Sequence, residues 1–179
     1  MNKLAEKYKK EIIPVLKEEF SIANVMGVPR MTKITLNMGI GSILKNKEAK
    51  ETLIRDLAAI SGQKPSERPA KLSVASFAIR RGMVVGLKVT LRGTKMYDFY
   101  QKFVNIVLPR LRDFKGVNAK SFDNFGNYTI GMSEYSVFPE IDTAKSNISH
   151  GLEIVITTTA GNKERGRKLL ELLGMPFQK

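Results

Sequence analysis

The chain contains no cysteine among its 179 residues. Disulfides, zinc–thiolate sites and cysteine nucleophiles are therefore excluded. It has one histidine, His150, in "SNISHGLE". A catalytic histidine needs a nucleophile and an orienting carboxylate, and the sequence sets neither beside it. His150 is expected to be a turn residue. No apolar run reaches the roughly 18 residues that a membrane span needs. The opening "MNKLAEKYKKEIIPVLKEEF" mixes acids with lysines and lacks the continuous apolar core of a signal peptide. The expected compartment is the cytoplasm, with no membrane partner. Acids are scarce: 17 stand against 30 lysines and arginines, giving a net charge of +13.

What is present points to a polyanion. A strongly basic chain most often meets nucleic acid. The charge is uneven. Residues 64–95 carry eight cations and only Glu67, net +7, whereas residues 121–150 are net −3. The strongest positive field lies in the middle of the chain, and the acidic segment suits a basic partner.

Apolar spacing predicts a helix over 3–20, bent at Pro14. "TKITLNM" (32–38) alternates, with Ile34, Leu36 and Met38 on one side and Lys33, Thr35 and Asn37 on the other. A second helix is expected over 46–61, stopped by Gly62. "QKPSERPAK" reads as a loop or a short edge strand. "LSVASFAIR" and "VVGLKVTLR" read as a hairpin. In its second strand Val85, Leu87, Val89 and Leu91 face the core, and Lys88, Thr90 and Arg92 face away. A helix at about 95–108 ends at Pro109. A polar loop, read as long and mobile, occupies 110–127. "YTIGM" and "LEIVITTTA" are strands, and a last helix covers about 162–173. The order predicts one α+β domain over 1–179, an antiparallel sheet with helices packed on one face. The other face is expected to be open for RNA. Its cations can reach phosphates, and its threonines and asparagine can bond sugar or base edges.

Catalytic patterns fail on spacing. "GIGSIL" has Leu44 where a dinucleotide fingerprint needs its third glycine. "GNKERGRKL" has Arg167 and Lys168 where a phosphate loop needs Lys and Ser or Thr. Neither a metal cluster nor a cofactor is expected. Eight methionines read as core filler. The outward strand positions carry no aromatics, which favours structured RNA over single strands. A free-standing RNA chaperone and an enzyme with a hidden phosphate site are the rival readings.

The runs "ITLNMGIG" (34–41), "ISGQKP" (60–65), "KVTLRG" (88–93), "LPRLRDFKG" (108–116), "SFDNFGNYTIG" (121–131), "FPEID" (138–142), "ITTTA" (156–160) and "PFQK" (176–179) span nearly the whole chain. In this order they resemble the bacterial large-subunit ribosomal protein five family. Its members are 5S-rRNA-binding proteins of the central protuberance. The resemblance implies a non-enzymatic ribosomal constituent beside neighbouring large-subunit rRNA and proteins. It implies 5S rRNA contacts at Asn37, Gln63 and Thr90, with Lys33, Thr35, Lys64, Lys88 and Arg92 around them. It implies a loop touching P-site tRNA through Arg68, Lys71, Ser73, Arg80 and Arg81. It also implies a bridge to a small-subunit head protein through Arg110, Arg112, Asp113, Lys115, Glu140 and Asp142. Two features depart from the family pattern. Val84-Val85 replaces a Pro-Ile pair, and Glu67, Pro69 and Leu72 lower the charge of the loop after Pro65.

Overall fold

A computed structural model describes residues 3–43, 46–112, 114–142 and 150–178. Five strands form one antiparallel sheet: β1 (Met31–Gly39), β2 (Ser66–Pro69), β3 (Val84–Leu91), β4 (Tyr128–Met132) and β5 (Leu152–Thr158). Their order across the sheet is β2-β3-β1-β5-β4. The helices are α1 (Lys3–Lys7), α2 (Ile13–Glu19), α3 (Lys47–Ser61), α4 (Gly93–Lys102) and α5 (Lys163–Leu172). The α+β class is as the sequence predicts. No helix among the described residues is long and apolar enough to cross a membrane.

The chain divides into two compact units, each with its own core. The first comprises Met1–Ile34, Leu91–Ile130 and Val155–Lys179. Its buried side chains include Ile12, Leu16, Phe99, Tyr100, Phe103, Ile156, Leu169 and Leu170. A π-helical turn, Tyr8–Ile12, joins α1 to α2, so the strain expected from Pro14 falls in the turn before it. Pro14 itself sits in the first turn of α2, where its missing N–H costs no bond.

The second unit comprises Thr35–Thr90 and Gly131–Ile154. Its core joins Leu36, Met38, Leu87, Val89 and Ile154 from strands to Leu53, Leu57 and Ile60 of α3. Helix α3 starts where the Asn46 side chain accepts a bond from the Ala49 amide. It ends at Gly62, whose φ of 63° lies in the left-handed region that favours glycine. Its one buried carboxylate, Asp56, accepts a hydrogen bond from Tyr135 Oη at 2.9 Å.

One expected element is absent. Residues 72–80 do not form the strand that pairs with β3. They form a loop in which Ala75–Phe77 makes a short 3₁₀ turn and Val74 bridges Ile79. The partner of β3 is β2, with Ser66 opposite Lys88 and Arg68 opposite Gly86. Pro69 explains the choice of edge: β2 is the outermost strand, where a residue without an amide hydrogen breaks no ladder.

Candidate nucleic-acid interface

Alternation decides which side chains reach water. In β3, Leu87 and Val89 are buried, while Lys88 and Thr90 are half-buried on the opposite face. In β1, Leu36 and Met38 are buried, while Thr35 is half-buried and Asn37 exposed. Strand pairing adds Ser66 and Arg68, since residues opposite each other share a face. Gly86 fits that close row. A Cβ there would lie 3.4 Å from the Met38 carbonyl oxygen and 3.8 Å from Arg68 Cβ. Glu67 points the other way and meets Lys50 of α3 at 3.0 Å, so it subtracts little from the outward charge.

Gln63 joins this face from outside any strand. The turn after α3 is held by Ser61, whose hydroxyl donates to the Leu57 carbonyl and accepts from the Gln63 amide. Gln63 Nε2 then reaches the Thr90 carbonyl in a long contact of 3.5 Å. Asn37 Nδ2 donates to Glu153 Oε2 of β5 at 3.1 Å. The second unit therefore holds Thr35, Asn37, Gln63, Lys64, Lys88 and Thr90, all predicted from sequence. Lys33 and Arg92 belong to the first unit, Lys33 half-buried in β1 and Arg92 exposed ahead of α4.

Among the described residues, Ser66, Glu153 and Arg68 lie on this face without a sequence assignment to it, Arg68 being expected in the tRNA loop. Glu153 was legible in "LEIVIT", where Leu152, Ile154 and Ile156 alternate with it. Ser66 became visible only once β2 was known to pair with β3.

Residues 70–83 form an exposed loop closed at its base by two hydrogen bonds, Ala70 N–H to Met83 O and Gly82 N–H to Ala70 O. Ser73 Oγ accepts from the Arg81 amide at 2.9 Å, and the Arg80 amide donates to Met83 Sδ at 3.1 Å. Lys71, Ser73, Arg80 and Arg81 are all exposed. Leu72 and Phe77, 76% and 73% exposed, stand among these cations. Arg68 lies outside this loop, in β2 on the polar face.

The bridge candidates divide between the units. Arg110, Arg112 and Lys115 are exposed in the first; Glu140 and Asp142 are exposed in the second. Asp113 lies outside the described residues. The loop expected over 110–127 is better tied than its composition suggests. Asp123 Oδ1 accepts from the Phe125 and Asn127 amides, and Oδ2 accepts from Asn127 Nδ2 at 2.7 Å. Slight desolvation pushes the Asp123 carboxyl up, but the bonds from Asn127, Phe125 and Gly126 together outweigh it and hold the pKa low. Phe122, Tyr128 and Phe177 pack with ring centroids 4.5 to 5.7 Å apart.

His150 Nε2 meets the Gly39 carbonyl oxygen, and the His150 carbonyl accepts from the Tyr135 amide. These contacts tie the chain just ahead of β5. Among the described residues no group of three or more carboxylates and histidines could hold a metal ion.

Two family descriptions match the chain. Residues 24–80 match "Ribosomal protein L5", and residues 84–177 match the description of that ribosomal family's C-terminus. A Thermoanaerobacter protein (strain X514) named large ribosomal subunit protein uL5 is 51% identical over 179 residues, all of both chains. A protein of the same name from Carboxydothermus hydrogenoformans is 49% identical over 179 residues, again all of both chains.

Proposed function

The chain belongs to the ribosomal protein L5 family, and from that premise we propose that its polar sheet face binds 5S rRNA and attaches it in the central protuberance. As a family member the chain is a structural, non-enzymatic constituent of the large ribosomal subunit, and its place is the cytoplasm. The observation that carries the 5S reading is the convergence of Asn37, Gln63 and Thr90. Asn37 and Thr90 project from β1 and β3, adjacent in the sheet, and Gln63 is drawn onto Thr90 from a turn. Lys64, Lys88 and Arg68 surround them with positive charge. We read Arg68 with this face because its strand position faces outward there.

The exposed loop 70–83 is proposed to contact P-site tRNA through Lys71, Ser73, Arg80 and Arg81. The exposed residues Arg110, Arg112 and Lys115, with Glu140 and Asp142, are proposed to bridge to a small-subunit head protein. The acidic balance of residues 121–150, net −3, suits a basic partner.

The test is affinity for 5S rRNA against an unrelated structured RNA of similar length, across a salt series. Selective binding that survives salt is the expected result. Equal affinities that both collapse with salt would mean that charge alone explains binding.

A further inference from the structure

Glu153 sets a carboxylate on the face otherwise richest in cations. It cannot turn inward, because Leu152 and Ile154 take the core side of β5. Carboxylate oxygens only accept hydrogen bonds, so the end of Asn37 that faces Glu153 must be its amide nitrogen. Nδ2 donates to Oε2, which turns Asn37 Oδ1 away from Glu153. Among the described residues Glu153 makes no ion pair that would neutralise it. The pair therefore presents acceptor oxygens, one negative charge and the second Asn37 N–H.

A phosphate has acceptors only and repels such a pair. What complements it is an RNA hydrogen-bond donor; in the shallow groove of an A-form helix, the one side chains can read, the donors are the ribose 2′-hydroxyl and the guanine amino group. We infer that Glu153 is a specificity-determining residue of the RNA face. With Asn37 it accepts a hydrogen bond from an RNA donor, and it weakens the binding of backbone that brings only phosphates. The inference rests on the 5S rRNA reading and adds a residue to which that reading gives no role. Lys88 and Arg68 attract any RNA; Glu153 makes part of that attraction conditional.

The experiment compares wild type with Glu153→Gln, which keeps the shape and removes the charge. Dissociation constants are measured for 5S rRNA and an unrelated structured RNA at one salt concentration, with thermal unfolding as a folding control. Binding of the unrelated RNA should hold or tighten. Preference for 5S rRNA should fall about tenfold, the size of one lost charged hydrogen bond. Glu153→Asp, which keeps the charge on a shorter arm, should retain weak binding of the unrelated RNA and lose part of the preference. A wild-type protein with no preference overturns the 5S reading and this inference with it. A preference left intact in Glu153→Gln overturns this inference alone.

Interference mapping with 2′-deoxy and inosine analogues in 5S rRNA separates the donor sources. A 2′-deoxy effect present in wild type and lost in Glu153→Gln identifies a ribose hydroxyl. An inosine effect with that behaviour identifies a guanine amino group. If no effect depends on residue 153, the direct contact is refuted.

Discussion

Single residues on the polar face are of two chemical kinds. On the proposed 5S rRNA reading, Lys88 and Arg68 supply charge, whereas Asn37, Gln63 and Thr90 supply directional hydrogen bonds. Only the second kind distinguishes one RNA from another. Asn37→Ala and Thr90→Ala should therefore each weaken 5S rRNA binding by about 1–2 kcal/mol. Arg80→Ala, in the 70–83 loop, should matter less for isolated 5S rRNA and show its effect when tRNA is present. Equilibrium binding at fixed salt checks this, and Arg80→Ala emerging as the most damaging change would refute the division of the surface. Asn37 and Thr90 were legible because a strand's period of two places them opposite Leu36, Met38, Leu87 and Val89. Gln63 was not legible from periodicity, since it lies in a turn after α3, held by Ser61. Its position depends on a contact with Thr90, 27 residues away in the chain.

At the scale of elements, local signals served well where caps and alternation agree. Asn46 and Gly62 bound α3, and Asn162 starts α5 by accepting from the Arg165 amide. They failed at 72–80, where apolar residues suggested a strand. Leu72 and Phe77 are instead exposed, and the pairing went to the charged segment Ser66–Pro69. An edge strand need not be apolar, because its ladder bonds one neighbour and its side chains meet water. Tertiary contact also reverses a propensity in α5. Gly166 is an interior helical position, where alanine normally adds about 1 kcal/mol. A Cβ there would fall 2.5 Å from the Gly126 carbonyl oxygen and 2.8 Å from Gly126 Cα. Gly166→Ala should therefore destabilise the protein by about 1–3 kcal/mol, measured by denaturant unfolding; a stabilised variant would mean that the turn yields. The same turn is held by Asp123, whose pKa is lowered in the folded protein. Its contribution is complete above the ordinary Asp value of about 3.9 and is lost as pH falls through the lower folded value. Wild type should lose more melting temperature than Asp123→Asn between pH 5 and pH 2; parallel losses would show that the carboxylate is not what titrates.

For the whole molecule, the net charge of +13 predicts affinity for any RNA, and residues 64–95, at net +7, hold the largest share. Such affinity comes from displaced counterions, so the logarithm of the binding constant falls with the logarithm of salt in proportion to the phosphates neutralised. Charge of this kind cannot choose 5S rRNA, because every structured RNA offers the same phosphates. On the proposed reading, selection comes from groups whose direction matters more than their charge: two amides, a hydroxyl and one carboxylate set among the cations. Arg68 tests that separation. It is exposed, lies on the outermost strand and faces outward beside Gly86. If it acts as a point charge, Arg68→Gln should lower the salt slope by about 0.9 for a duplex phosphate. The change should be the same for 5S rRNA and for an unrelated RNA, leaving their affinity ratio untouched. A changed ratio would assign Arg68 to shape or base readout, and the cations of this face would then share in recognition as well as attraction.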